Sequence, residues 1–166
     1  GVHVYTTTLI SNLSFDNFYP TCDIKPVGDA SYLFYNWSND YGVGSGSLKQ
    51  RLEECGVVLD TSKATLLTSA FAYSHITEIP TIDCRGLGSG TKGLFQDGYS
   101  RIHSIEKLIV NEDVTFQNWF LRTNVTEMRF EGVIGHDLDV SFQGYNASQS
   151  TLSADSIRSI ITHLSD

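Results

Sequence analysis

The sequence has little charge, proline, cysteine or methionine. Charged residues make up 18% of its 166 residues, against about 25% in an average soluble domain, and there are only 3 Pro, 3 Cys and 1 Met. The charges are mostly acidic, because 19 Asp and Glu against 11 Lys and Arg give a formal net charge of −8. Such a chain is a poor electrostatic match for phosphate backbones, so we expect no nucleic-acid partner.

Long apolar runs are also missing. No stretch approaches the roughly 18 consecutive apolar residues that a membrane span needs, so we expect no span in this chain. The apolar content of 40% is nevertheless enough for a core, and the length fits one structural domain. Because the chain begins with Gly1 rather than Met, we expect it to be a processed or excised part of a longer protein, with a Gly1 left over from a tag as the alternative.

The three cysteines, Cys22, Cys55 and Cys84, are odd in number and far apart. There is no CxxC pair, and no Cys and His residues have the spacing of a zinc site. Buried free thiols are therefore the expected state, with one disulfide and one free thiol as the alternative. We expect no bound metal and no cofactor.

Sequence signals for catalysis are weak. The glycine-rich segments 42–46 and 86–93 lack the residue order of a phosphate-binding loop, and no G-x-S-x-G nucleophile motif occurs. The adjacent acidic pairs at residues 53–54 and 112–113 would point to opposite faces if they lay on strands, which suits acid–base catalysis poorly. We therefore expect that the protein is not an enzyme.

The strongest feature is an internal repeat. Phe71, Phe95 and Phe120 lie 24 and 25 residues apart, and each is followed by an apolar-x-x-apolar pattern. Residues 33–36 look like an earlier, degraded unit. A unit this short can bury its apolar residues only by stacking on a neighbour. The repeat therefore predicts one short strand per unit, with the phenylalanine rings stacked in a ladder behind the strands.

Two segments of the repeat resemble the repeats of a known family. Leu59-Asp-Thr-Ser-Lys-Ala-Thr-Leu-Leu-Thr-Ser-Ala-Phe71 and Ile76-Thr-Glu-Ile79-Pro80 are similar to the repeats of BspA-type leucine-rich-repeat proteins of bacterial and phage surfaces. The resemblance covers about residues 57–165. It departs from the family at Cys84-Arg85, where the family has Thr-Ser, and at Asn111-Glu-Asp113 in the third unit.

The resemblance implies a strand-rich α/β fold, a leucine-rich-repeat right-handed solenoid with an irregular N-terminal cap and a C-terminal helix. Residues 1–56 would form the cap with a degraded first repeat, and residues 57–166 the repeats and a C-terminal capping unit, all within one structural domain. The helix is also predicted independently, with Ser153 as its N-cap. Its apolar positions are spaced as one helical face, at Ile157, Ile160, Ile161 and Leu164.

Two groups of residues are candidates for a binding surface. Aromatic rings beside Asn and Asp can stack on sugars or anchor a protein partner, which singles out Tyr35, Trp37 and Tyr41. The alternative is that Phe34 and Trp37 fill the core. The second group comprises polar strand residues that would share one extended face, with a purely solvated face as the alternative; its members are Glu78, His103, Lys107, Glu127 and Arg129.

Proteins of the family serve as adhesion or recognition scaffolds. We therefore expect a non-catalytic recognition or adhesion module that binds a protein or carbohydrate ligand, located extracellularly on a cell surface or on a phage particle. One alternative is a structural repeat spacer within a larger chain. A glycosidase is a weaker alternative, since it would need two carboxylates about 5–10 Å apart in a cleft. The oligomeric state is left open.

Overall fold

The computed structural model describes residues 15–37, 46–96, 101–135 and 152–166. A single 3-10 turn covers Phe15–Asn17. The strands are β1 (Gly28–Asp29), β2 (Ala64–Leu66), β3 (Glu78–Ile79), β4 (Ile82–Asp83), β5 (Ser104–Val110) and β6 (Glu127–Gly132), and the helices are α1 (Leu48–Cys55) and α2 (Ala154–His163). Within these ranges, neither helix combines the length and apolar character needed to cross a bilayer.

The strands form two parallel sheets. β1 pairs with β2, while β5 lies at the centre of a four-stranded sheet, with β3 and β4 on one side and β6 on the other. Glu78 pairs with Ser104, which is 26 residues further on, and Ser104 pairs with Glu127, another 23 residues along. Residues about one repeat apart in the sequence therefore pair with each other in neighbouring parallel strands.

The expected leucine-rich-repeat right-handed solenoid is wrong. The described residues form two helices and a few short strands in two separate parallel sheets, whereas such a solenoid would place a strand of every repeat in one continuous sheet. Part of the reason lies in the glycine-rich segment after β4. Gly88 has a φ angle of 52°, and this left-handed conformation is incompatible with an extended strand.

The predicted phenylalanine ladder is present. Phe34, Phe71, Phe95 and Phe120 are all buried, and their rings stack in sequence. The centroid separations are 5.4, 5.6 and 5.7 Å, with interplanar angles of 14°, 23° and 20°. The ladder runs through a single hydrophobic cluster that extends from Phe18 to Ile134.

A common backbone turn positions the ladder. The residues two before and two after the ladder phenylalanines adopt left-handed φ angles of 52–64° wherever they are described. These residues are Tyr32 and Asn36, Ser69 and Tyr73, Gly93, and Asn118 and Arg122. Backbone hydrogen bonds then join neighbouring turns, because the N–H of Phe71 donates to Leu94 O at 2.9 Å and that of Phe95 donates to Trp119 O at 2.9 Å. The rings stack because their backbones are stacked.

Helix α1 begins beside β3. Ser47 is its N-cap and accepts a hydrogen bond from the N–H of Gln50, while Gly56 ends it in the left-handed conformation at φ 66°. The N–H of Thr77, next to β3, donates to Gly46 O at 2.9 Å. The N-terminus of α1 therefore meets this edge of the four-stranded sheet.

Helix α2 covers the opposite edge, along β6. It begins after Ser153, whose hydroxyl caps the N–H of Ser156 as predicted. The N–H groups of Met128 and Phe130 donate to the hydroxyls of Ser156 and Ser159, at 3.0 and 2.9 Å. Side chains of the helix thus take the place of a neighbouring strand.

The predicted helix turns a different face to the sheet than its apolar spacing indicates. Ser156 is buried, whereas Ile157, Ile161 and Leu164 are 46%, 63% and 48% exposed. Only Ile160 of the predicted apolar face packs against the core. The sheet edge needs hydrogen-bond acceptors for its N–H groups, and this requirement favours the serine face over the isoleucine face.

Candidate functional site

One depression, of about 500 Å³, lies where β5 and β6 end, beside Arg85 and Asn111. Two others lie on the outer surface of the four-stranded sheet. The first, of about 640 Å³, lies between α2 and strands β5 and β6, and the second, of about 250 Å³, lies between α1 and the link from β3 to β4. Glu106 lines both. We call this surface the sheet face, and its polar members are Lys49, Glu53, Thr81, Glu106, Lys107, Arg129, Glu131, Asp155 and Arg158.

A β-bulge shapes the middle of the sheet face. Ile105 pairs with Met128 and Leu108 pairs with Phe130, so that two residues of β5, at positions 106–107, oppose the single residue Arg129 of β6. These four apolar residues are buried. A bulge redirects side chains locally, and here it places three charged residues side by side on the outer surface.

The charges on β5 are already engaged. The Glu106 carboxylate accepts hydrogen bonds from the N–H and the hydroxyl of Thr81, at 3.0 and 3.1 Å. Lys107 Nζ lies 2.6 Å from Glu131 Oε2. The hydrogen bond from Lys107 lowers the pKa of the Glu131 carboxyl.

The charges on the two helices are engaged as well. Lys49 Nζ contacts Glu53 Oε1 at 2.9 Å along α1, and the hydrogen bond to Glu53 raises the pKa of Lys49. Arg158 forms an ion pair with Asp155 along α2. These pairs are exposed at the two sides of the sheet face.

Arg129 differs from the other charged residues of the sheet face. It is exposed on β6, and no hydrogen bond or ion pair joins its guanidinium to another residue in the described ranges. A guanidinium offers five N–H donors in a planar fork that matches a carboxylate. Arg129 is therefore the charged group on this surface best placed to bind an external ligand.

Glu78 and Glu127, two residues of the predicted binding surface, contact the N-caps of α1 and α2. The hydroxyl of Ser47 donates to Glu78 Oε2 at 2.5 Å, and that of Ser153 donates to Glu127 Oε2 at 2.9 Å. Each carboxylate thus lies at the positive end of a helix dipole, where a negative charge is stabilising. Both glutamates therefore help to hold the N-termini of α1 and α2 against the sheet.

His103 immediately precedes β5 and has an exposed side chain. Its backbone bridges the neighbouring units, because its N–H donates to Thr77 O and its carbonyl accepts from the N–H of Thr126, both at 2.9 Å. Of the predicted strand residues, the structure thus brings Lys107 and Arg129 together in the larger depression, while His103 does not line it.

Trp37 is not a surface residue, so its inclusion in the binding surface is wrong. It is completely buried, and its indole makes edge contacts with Phe15, Phe18 and Phe34 at centroid distances of 5.9, 5.0 and 5.2 Å. Because the core needs a large ring at this end of the ladder, the alternative prediction holds. Tyr41 lies outside the described residues.

Tyr35 belongs to a small group of tyrosines that we call the tyrosine cluster. Its ring makes edge contacts with Tyr32 and Tyr73, at centroid distances of 5.3 and 5.5 Å. Sequence reasoning missed Tyr73 because it lies in a different unit from Tyr35. Tyr73 lies two residues after Phe71, as Asn36 lies two residues after Phe34. This repeated position is the sequence signal that identifies it.

The described part of the chain contains no group of three potential ligands suited to a metal ion. Cys22 and Cys55 are partly buried free thiols and Cys84 is a fully buried one, and burial raises the pKa of the Cys84 thiol. Within the described ranges, the sheet face and the tyrosine cluster are two surfaces whose exposed groups suit a ligand. No family model matches the chain, and neither a curated protein nor a solved structure matches it.

Proposed function

We propose that this chain is a non-catalytic recognition module of an extracellular surface, on a bacterial cell or a phage particle. It binds a protein partner through the sheet face. The observation that carries this proposal is the exposed Arg129 guanidinium. The other charges of the sheet face already have ion-pair or hydrogen-bond partners. The partner supplies an Asp or Glu carboxylate, which a guanidinium binds through two parallel hydrogen bonds.

The surrounding charges suit recognition of a protein rather than a polyanion. In the larger depression three cations, Lys107, Arg129 and Arg158, alternate with Glu106, Glu131 and Asp155. A surface that carries both positive and negative charges favours a partner with a complementary arrangement of charges and disfavours one of uniform charge. Such exposed charges contribute mainly to specificity and to the association rate.

The geometry also supports binding without turnover. General acid–base catalysis needs a carboxyl or imidazole in hydrogen-bond reach of a substrate proton. Glu106 and Glu131 instead accept hydrogen bonds from Thr81 and Lys107. Because the pKa of Glu131 is lowered, it remains ionised and suits an electrostatic contact better than proton donation.

The experiment is a screen of the wild-type chain against an array of extracellular proteins, followed by surface plasmon resonance on each hit. Arg129→Glu should weaken a genuine complex at least about tenfold, since it replaces an attraction by a repulsion. The matched control is Lys92→Glu, which makes the same charge change at an exposed residue outside the sheet face.

Raising the salt concentration should weaken the wild-type complex and reduce the difference between the two variants. A set of hits that bind both variants equally well would refute the assignment of the sheet face. An array without any hit would count against recognition of proteins altogether.

A further inference from the structure

The tyrosine cluster is separate from the sheet face and shares no residue with it. Tyr32 is 51% exposed, while Tyr35 and Tyr73 are partly buried. The ring planes of Tyr32 and Tyr35 are inclined at 87°, and those of Tyr35 and Tyr73 at 68°. The three rings support one another by edge contacts, which are favourable arrangements for aromatic pairs.

The backbone at two of these tyrosines is unusual. Tyr32 and Tyr73 have φ angles of 64° and 55°, a conformation that Gly and Asn adopt readily and that bulky L-residues disfavour. Other units have Gly93 and Asn118 at the position of Tyr32. The turn itself therefore does not require tyrosine.

Core packing does not explain Tyr32 either, because half of its side chain remains in solvent. Because the same turn recurs in other units with other residues, the left-handed backbone belongs to the fold, and only the choice of tyrosine at this position is left to explain. The position of Tyr32 is thus better explained by what its ring presents to solvent than by folding.

We propose that the tyrosine cluster is a carbohydrate-binding site that takes a neutral pyranose sugar. Ring faces held on a fixed turn pack against the C–H face of a pyranose, while phenolic hydroxyls act as hydrogen-bond donors and acceptors. The three side chains offer aromatic rings and hydroxyls rather than acidic or basic groups, which suits a neutral sugar. The site is independent of the protein-binding function proposed for the sheet face.

The test is affinity gel electrophoresis of the intact chain in native gels that contain one neutral polysaccharide each: a β-glucan, a galactan, a mannan, a xylan or glycol chitin. The wild-type chain should be retarded by at least one of them. Tyr32→Ala should weaken that interaction about three- to tenfold, the range expected for one lost aromatic contact. Tyr32→Phe, which keeps the ring, should retain most of it.

Tyr19→Ala is the matched control. Tyr19 is another exposed tyrosine, which packs on the Arg51 guanidinium and lies outside the cluster. Its variant should bind as the wild type does. An equal loss in both alanine variants would overturn the site, and so would the absence of retardation on all five polysaccharides.

Tyr32→Gly separates binding from folding. Glycine adopts the left-handed conformation without penalty, so the thermal midpoint should stay unchanged or rise while sugar binding weakens as much as in Tyr32→Ala. A marked fall in the midpoint would show that the ring is structural and would contradict the proposal. Retardation that persists undiminished in Tyr32→Gly would contradict it as well.

Discussion

Replacing Phe95 by alanine is the most direct test of the phenylalanine ladder. The Phe95 side chain is fully buried, and its ring is stacked between Phe71 and Phe120 at 5.6 and 5.7 Å. Removal of a buried phenylalanine side chain leaves a cavity and costs about 3–5 kcal/mol of unfolding free energy. The upper end applies here, because ring contacts on both sides are lost together.

This loss is large relative to the total stability of a domain, which is about 5–15 kcal/mol. For a chain of this length, each kcal/mol lowers the thermal midpoint by about 2–4 °C, so a loss of about 5 kcal/mol in Phe95→Ala should lower it by about 10–20 °C. Urea denaturation followed by circular dichroism measures the free energy, and a thermal scan measures the midpoint.

Two further variants make the result interpretable. Phe95→Leu keeps most of the volume and should cost about 1–2 kcal/mol. Lys92→Ala, at an exposed residue of the same turn, should change stability by less than about 0.5 kcal/mol. If Phe95→Ala cost less than about 1 kcal/mol, the stacked rings would not hold the units together and the ladder interpretation would be refuted.

Two more predictions concern stability. Ser156→Ala should destabilise the fold by about 1–3 kcal/mol in urea denaturation, because it leaves the buried N–H of Met128 without its acceptor; a change below about 0.3 kcal/mol would show that the helix does not satisfy the sheet edge. Hydrogen bonds from Arg85 lower the pKa of Asp83 below its ordinary value of 3.8, so its contribution is complete above about pH 5 and is lost as the pH falls below 4. The urea midpoint of Asp83→Asn should therefore fall less between pH 6 and pH 3 than that of the wild type, and parallel pH profiles would contradict this assignment.

The ladder and helix α2 could be predicted because both depend on the spacing of apolar residues. Phe71, Phe95 and Phe120 recur at a nearly constant interval, and parallel pairing of successive units converts that interval into stacking. The start of α2 at Ser153 follows from the preference of a helix for a hydroxyl at its N-cap.

The orientation of α2 could not be predicted from periodicity. Apolar spacing alone assigns Ile157 and Ile161 to the inner face, whereas the unsatisfied N–H groups of β6 select Ser156 and Ser159. Such a requirement is invisible until the strand beside the helix is known. The prediction of the overall fold was wrong for a related reason. Local sequence similarity, such as that of residues 59–71, does not determine whether consecutive strands join one sheet.

The candidate site was predicted in part. Alternation along β5 and β6 places Lys107 and Arg129 on the outer surface, but it does not reveal that Lys107 is paired and Arg129 is not. Trp37 was misassigned because the aromatic pattern does not reveal the left-handed conformation of the preceding Asn36, at φ 55°, which changes where the next side chain points. The side chain then enters the core.

The serine hydroxyls of α2 also bear on how the protein behaves when it is concentrated. A parallel sheet with an open edge can recruit a strand from another molecule, and repeated recruitment leads to cross-β fibrils. Ser156 and Ser159 occupy the hydrogen-bonding sites on β6 at which such growth would begin. Helix α2 therefore acts as a barrier to self-assembly along this edge, and the same substitution that destabilises it should shorten the lag time of fibril formation.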